Sequence, residues 1–338
     1  MFALTSNITV GKYAFKPHEV KINKSVYEYA DKAVIKIPIT ARIKQKGLTP
    51  KSIETARQFN EGDKVLIQLG YNDSLTTEFE GFVARVNFTQ PAEIECEGYS
   101  WQLRQQNYLK TFINTELKTV LQFLITETDI VLDKNIPSFK LDKLVLQSHS
   151  GTETLELIKR ISQDTIRFFF IGKTLYAGLV WLQIQPDVKY QMGWNVIKDG
   201  QLKLRQAKNQ DVVVEAHWEE KDGTRKKLQV NNSSQNKPIK KVVATEGISG
   251  EKLIIRPKGI SDYNTLDAIA KAKHTSLTYN GYEGKITTFL IPYCGICYGA
   301  IINDKKYPER SGKYLVESVE TTYGMGGARR SVGIGIQL

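Results

Sequence analysis

Apolar and polar residues alternate through the first hundred positions. Ile35, Ile37 and Ile39 alternate with Lys36 and Pro38, and the proline, which cannot donate to a ladder, places that strand end at a sheet edge. Val65, Ile67 and Leu69 share one face of a second run. Phe82, Ala84, Val86 and Phe88 share a face opposite Arg85 and Asn87, and Ile94 and Cys96 face away from Glu93, Glu95 and Glu97. A period of two over short runs predicts half-buried strands. The turn segments Glu61-Gly62-Asp63 and Tyr71-Asn72-Asp73-Ser74 separate them. Close spacing of such strands predicts an antiparallel barrel or sandwich, not βαβ units.

The period then changes. Leu117, Val120, Leu121, Leu124 and Ile125 recur at helical spacing after Asn114-Thr115, a pair suited to capping a first turn. A second helix is predicted from Leu155, Leu157, Ile158 and Ile161, after the Ser150-Gly151-Thr152 break. Ile166–Ile171 and Thr174–Tyr176 flank Gly172-Lys173, a two-residue hairpin signal. Strands return in Asp211–Trp218 and Thr224–Val230, around Lys221-Asp222-Gly223. A helix near Asp262–His274, with Leu266, Ile269 and Ala270 on one face, precedes strands at Lys285–Ile291, Tyr298–Ile302, Lys313–Glu320 and Arg329–Ile336. The last two are joined by Gly324-Met325-Gly326-Gly327, which is free to adopt positive φ. The expected organisation is therefore a β domain over 1–105, an α+β insert over 106–185, and a second β domain over 186–338. The last contains the helix at about 262–274 and a possible small sub-domain around 205–260.

Composition fits that plan. With 338 residues, 41% hydrophobic and 25% charged, the chain is globular and long enough for two or three domains. No apolar run approaches the roughly 18 residues a membrane-spanning helix needs. Met1–Val10 lacks the basic start and apolar block of a secretory signal. Three cysteines make no disulfide framework, so a reducing compartment is expected. The charge is +11, from 47 Lys and Arg against 36 Asp and Glu. Most of it follows Asp187, with clusters at Arg225, Lys226 and Lys227 and at Lys237, Lys240 and Lys241. Such an excess admits a nucleic-acid partner. Both clusters flank loop signals, however, and no aromatic residue adjoins Arg225-Lys226-Lys227 for base stacking.

Candidate chemistry is sparse. Gly172-Lys173-Thr174 matches the end of a phosphate-binding loop, but Arg167 stands where the motif requires its first glycine. Cys294-Gly295-Ile296-Cys297 has redox or zinc spacing. A low-pKa thiol needs a helix N-terminus, and zinc needs a second ligand pair; the flanks read as strand ends and no second pair occurs. His18, His149, His217 and His274 are scattered. Glu93, Glu95 and Glu97 form a row along one strand face, whereas a glycosidase holds two carboxylates across a cleft. The row reads as solvated or partner-facing. No catalytic, cofactor or metal site is expected.

Ile94-Glu95-Cys96-Glu97-Gly98-Tyr99-Ser100 followed by Leu103 resembles the barrel-closing strand and turn of the phage late-control gene D family, the baseplate hub proteins of contractile tails. The likeness continues in order through Leu117–Ile125, Thr152–Gln163 with Phe168–Phe170, Asp211–Trp218 with Asp222-Gly223-Thr224, and Leu266–His274 leading into Gly284–Phe289. It ends with Ser311–Val319 and the glycine turn after it. One departure is Pro292-Tyr293-Cys294-Gly295, where the family often has a Pro-Gly-Asp type of turn.

The resemblance implies a fold that is mainly β, with two tail-tube-like antiparallel β-barrels and a small helix-containing insert. It implies a structural part and not an enzyme: a homotrimeric ring joining the sixfold tail tube to the threefold central spike. Implied partners are further copies of the chain, the spike, the tail tube or neighbouring baseplate proteins, and a tape-measure protein. No membrane is involved, and nucleic acid only passes through the channel. The implied location is the virion tail baseplate, assembled in the bacterial host cytoplasm. Arg225, Lys226, Lys227, Glu93, Glu95 and Glu97 are the candidate partner-facing residues. Two other functions remain open: a nucleic-acid-binding β-barrel protein driven by the basic charge, and a tail-associated cell-wall hydrolase.

Overall fold

A computed structural model describes residues 3–43, 51–178, 184–199, 201–206, 212–219, 224–230, 251–257 and 260–338. The first β half comprises β1 (Leu4–Val10), β2 (Tyr13–Phe15), β3 (Glu19–Ser25), β4 (Lys32–Ile37), β5 (Thr40–Ile43), β6 (Lys51–Glu54), β7 (Lys64–Tyr71), β8 (Ser74–Asn87) and β9 (Ala92–Glu97). The middle of the chain holds β10 (Asn107–Glu116), α1 (Leu117–Leu124), β11 (Val131–Leu132), β12 (Lys140–Ser150), α2 (Gly151–Ile161), β13 (Arg167–Ile171) and β14 (Thr174–Gly178). Then follow β15 (Asp187–Gln191), β16 (Val196–Lys198), β17 (Lys203–Arg205), β18 (Val212–Glu219), β19 (Arg225–Val230), β20 (Glu251–Ile255) and α3 (Tyr263–Thr278). The chain closes with β21 (Gly281–Thr288), β22 (Gly299–Asn303), β23 (Gly312–Gly324) and β24 (Gly327–Gln337). The fold is mainly antiparallel β with a helix-bearing insert.

One sheet runs through both β halves, in the order β16-β21-β24-β23-β3-β4-β9-β8-β7-β1-β2, with β15, β17 and β22 attached. The halves meet where β3 pairs with β23, from Ser25 opposite Ser318 to Glu19 opposite Gly324. The first half curls so that Ile8, Ile22, Ile35, Ile67, Val83 and Ile94 pack in one core, which Leu290, Tyr323 and Ala328 of the second half complete. A separate core gathers Val188, Tyr190, Ile286, Ile302, Val316, Val332 and Ile334. The β23–β24 hairpin thus supplies both cores: Tyr323 and Ala328 to one, Val316, Val332 and Ile334 to the other. Fully burying one such aliphatic side chain contributes about 1.5–3 kcal/mol, so a hairpin anchored twice resists separation of the halves. The third core joins Leu117, Leu121, Leu155 and Phe170 of the insert to Val214, Leu228, Leu266 and Ile269.

Local chemistry accounts for the element ends. Ser150 caps α2: its Oγ accepts from the Glu153 N–H at 3.3 Å, and the Glu153 carboxylate accepts from the Ser150 N–H at 2.7 Å. These reciprocal bonds satisfy two orphan donors. Gly172 takes a φ of +58° in the two-residue turn that pairs Ile171 with Thr174, as the Gly-Lys pair predicts. The helix over Asp262–His274 is present as α3, with Asp262 as its cap and one more turn, to Thr278.

Three expectations change. Asn114-Thr115 does not cap α1; both lie within β10, Asn114 at a φ of +48°, and the N-cap is Glu116, without a side-chain bond. Phe82, Ala84, Val86 and Phe88 do not share the core face. A bulge between Val83 and Arg85 inserts a residue into the alternation, so Val83 faces the core while Phe82 stacks on Trp101 and Phe88 is 73% exposed. The strand expected over Lys285–Ile291 runs instead from Gly281 to Thr288. The Lys221-Asp222-Gly223 turn lies outside the described residues, although β18 and β19 pair across it from Glu219 opposite Arg225.

Candidate functional site

The most constrained cluster of polar side chains lies between the two β halves. Inward positions of β24 are Ala328, Arg330, Val332 and Ile334, all buried, so the strand's own alternation carries a charged residue into the interior. Arg330 has no exposure and forms an ion pair with Glu78 of β8, itself 4% exposed. The guanidinium also donates to the Leu290 carbonyl, and to that of Pro292 at 3.1 Å. Its carbon lies 4.9 Å from the centroid of the Tyr293 ring. Thr321 Oγ1 donates to Glu78 at 3.4 Å. Beside this network the Tyr71 hydroxyl donates to the Ala328 carbonyl at 3.2 Å and accepts from the Leu290 N–H at 3.4 Å. The Glu78–Arg330, Thr321–Glu78, Tyr71–Ala328 and Leu290–Tyr71 bonds cross from residues 71–78 to residues 290–330, and the bonds from Arg330 to the Leu290 and Pro292 carbonyls brace the second side. The arrangement can hold two strand systems in one relative position; it contains no attacking group and no proton acceptor open to a substrate.

The cysteine pair borders the same region. Cys294 and Cys297 are both buried, and burial pushes their thiols up to about 11 and about 12. A reactive thiol is shifted the other way. Cys96 is buried inward on β9, and its thiol is likewise pushed up by burial. Among the described residues no three His, Cys, Asp or Glu side chains form a group able to hold a metal ion. A second polar feature is a cavity of about 410 Å³ lined by Tyr27, Arg167, Arg205, Lys273, Tyr279 and Glu317. Arg205 pairs with Glu283 and lies 4.4 Å from the Tyr279 ring centroid, and burial raises the Glu317 carboxyl.

The row of glutamates lies on the outer face of the main sheet and is graded in burial. Glu93 lies 3.9 Å from Lys36, and Glu95 accepts from the Asn87 amide at 2.6 Å. Glu97 is buried and engaged within the chain, accepting from Ser100 Oγ at 2.6 Å and from Arg104 Nε at 3.0 Å. The same face continues as a ladder of cross-strand pairs, with Lys36 to Glu19 at 3.0 Å, Lys21 to Glu320 at 3.0 Å and Lys285 to Glu320 at 3.8 Å.

No protein-family model matches the chain, and no curated protein matches its sequence. Solved structures do match over nearly its whole length. The 43 kDa tail protein of prophage MuSo2 from Shewanella oneidensis is 12% identical, with 98% of this chain and 97% of that one covered at a TM-score of 0.63. The tail protein from Neisseria meningitidis MC58 is 10% identical, covering 98% and 96% at a TM-score of 0.66. This is the fold of phage tail proteins. A component of the type VI secretion system of E. coli, described as similar in structure to T4 bacteriophage tail proteins, is 10% identical, covering 99% of this chain and 76% of that one at 0.52.

On this tail-protein fold the basic run at 225–227 lies in the strand expected over Thr224–Val230: it begins β19, pairing Arg225, Lys226 and Lys227 with Glu219, Trp218 and His217. Successive strand residues face opposite ways, so Lys226 and Lys227 do not form one patch. Lys226 is exposed and Lys227 half-buried. Lys237, Lys240 and Lys241 lie outside the described residues. The Arg330–Glu78 pair was missed by reading the sequence for motifs. Its signal was an arginine at an inward position of an otherwise apolar alternation.

Proposed function

We propose that the protein is a structural part of a phage or prophage tail, working as a baseplate hub. The observation that carries this is the near end-to-end agreement in fold with two phage tail proteins, at TM-scores of 0.63 and 0.66. In this reading the segments 1–105, 106–185 and 186–338 are a first tube-like domain, an insert and a second tube-like domain. Three copies form a ring whose pseudo-sixfold face meets the tail tube and whose threefold face meets the spike. Closure of such a ring also covers sheet edges that a lone subunit leaves open. The buried clamp between residues 71–78 and 290–330 suits a part that transmits load without chemistry, and the reading is therefore non-enzymatic. Partners are the spike, the tube or neighbouring baseplate proteins, and a tape-measure protein, with nucleic acid only in transit. The protein then resides in the tail baseplate of the virion, after assembly in the host cytoplasm.

The test is assembly. Sedimentation of the chain alone and co-expressed with the spike of its own gene neighbourhood should give a species whose copy number is a multiple of three, and electron microscopy a ring of three with a central channel. A chain that stays monomeric both alone and with the spike refutes the hub. The contact with the spike is assigned to complementary charge: replacing Arg225, Lys226 and Lys227 with Glu should weaken it, and unchanged affinity removes that assignment. Turnover of peptidoglycan by the purified chain would instead establish the cell-wall hydrolase.

A further inference from the structure

Among the described residues β10 is an edge strand, and its regular stretch presents an exposed face that carries neither proline nor charge. It pairs with β12 along one side, and among the described residues no strand pairs along the other. Leu109 is 84% exposed and Ile113 67%, with Thr111 between them on the same face and also exposed. The regular stretch is bounded by a bulge between Tyr108 and Leu109 and by Asn114 at a φ of +48°. Its centre is Thr111. Soluble proteins protect such edges with proline, bulges or charge. Residues 109–113 contain no proline, and their only charged residue, Lys110, lies on the opposite face, its Nζ 3.9 Å from the Phe123 ring centroid and 5.1 Å from that of Phe112.

We propose that the outer edge of β10 pairs with the β10 of a second copy, antiparallel, about a two-fold axis at Thr111. In that register Leu109 faces Ile113 of the other copy, Thr111 faces Thr111, and Lys110 faces Phe112, so Leu109 and Ile113 form two apolar cross-strand pairs, one on each side of the Thr111 pair. The match is self-complementary, as an isologous contact requires, and opposes no like charges. Sliding the register by two residues one way sets Lys110 against Lys110, and the other way leaves Leu109 opposite Thr115. Cross-strand pairs set register by this kind of preference. The result is a four-stranded β12-β10-β10-β12 sheet. It does not rest on the hub reading: a lone chain would pair into two copies, and a ring of three would pair into six.

Antiparallel partners have Cα atoms about 4.5 or 5.5 Å apart, within the span of roughly 4.4–6.8 Å that a disulfide bridges. The experiment uses the full chain carrying Thr111→Cys under mild oxidation. The three native thiols are buried and give no background. Covalent dimer should form rapidly with T111C. Neither L109C nor I113C alone should cross-link, whereas a mixture of the two should. The wild-type chain should sediment with an even number of copies, and Thr111→Lys, which sets two ammonium groups at the axis, should halve that number while far-UV circular dichroism is unchanged. T111C that stays uncross-linked at micromolar protein, or T111K with the wild-type mass, overturns the proposal, and both are expected if the strand of a different protein occupies this edge.

Discussion

Removing the Glu78 carboxylate is the sharpest test of the clamp between the β halves. Glu78→Ala leaves the Arg330 guanidinium with no exposure to water and only the Leu290 and Pro292 carbonyls and the Tyr293 face as partners. Breaking one side of a buried ion pair costs about 3–5 kcal/mol, because the remaining charge stays buried. Unfolding entropy near 2.1 cal/mol/K per residue gives about 0.7 kcal/mol/K for cooperative unfolding of 338 residues. Glu78→Ala should therefore lower the melting temperature by about 4–7 °C. The double variant Glu78→Gln, Arg330→Met removes both charges at similar volume, and apolar replacement of a buried pair is often neutral or stabilising. It should recover most of the loss. Urea unfolding of the wild type, the Glu78→Gln and Arg330→Met singles and their double variant, at equal m-values, measures the coupling. A Glu78→Ala loss below about 1 kcal/mol, or a double variant as unstable as the summed singles, refutes the argument that these strands are held by a desolvated charge pair.

Asp31 is buried, and burial raises its carboxyl from an ordinary 3.8 to about 6. Between those values the folded chain holds a proton that the unfolded chain has released, so stability rises as pH falls through about 6 and is lost again above it. The shift corresponds to about 3 kcal/mol; Asp31→Asn should flatten stability against pH across this window and stabilise the chain at pH 8, and an unchanged slope in urea melts would contradict this. Ser150→Ala removes the reciprocal cap of α2 and should cost about 0.5–2 kcal/mol, measured in the same melts. Gly284 has a φ of +128°, and a Cβ there would lie 1.9 Å from the Gln201 carbonyl oxygen; Gly284→Ala should reduce soluble yield or stability. Cys96, Cys294 and Cys297 should resist a thiol reagent at pH 8 in the native chain and react at once in denaturant. Rapid native reaction would show the 294–297 loop to be open.

Much of the fold was legible because its signals are local. Ser150-Gly151-Thr152 ahead of an apolar helix period, the Gly172-Lys173 turn and the alternations ending at Leu69 and Cys96 each determine their element within a few residues. What was not legible depends on distant partners. The bulge that separates Val83 from Arg85 is a feature of the pairing of β8 with β9, and periodicity cannot register an inserted residue. Asn114 and Thr115 have the composition of a cap, yet pairing with β12 across Lys140–Lys143 draws the chain into a strand first. Arg330 and Glu78 lie 252 positions apart. No window joins them, and only the inward phase of Arg330 in its strand hinted at a buried charge.

The charge of +11 illustrates the difference between a total and a distribution. On the outer face of the main sheet, Lys21, Lys36 and Lys285 are set against Glu19, Glu93 and Glu320, so that this face is balanced pair by pair. Exposed pairs of this kind contribute little to stability, but they remove the net field that would attract a polyanion to the sheet. Lys226 and Lys227 of the basic run point to opposite sides of β19. A nucleic-acid groove needs contiguous positive charge tracking a backbone, and neither arrangement supplies it. The exposed apolar side chains of Leu109 and Ile113, by contrast, gain nothing from water and are matched only by surfaces like themselves. In the proposed pairing of β10, association would thus be driven by apolar contact along an edge, whereas the basic residues of β19 bear only on the proposed contact with the spike.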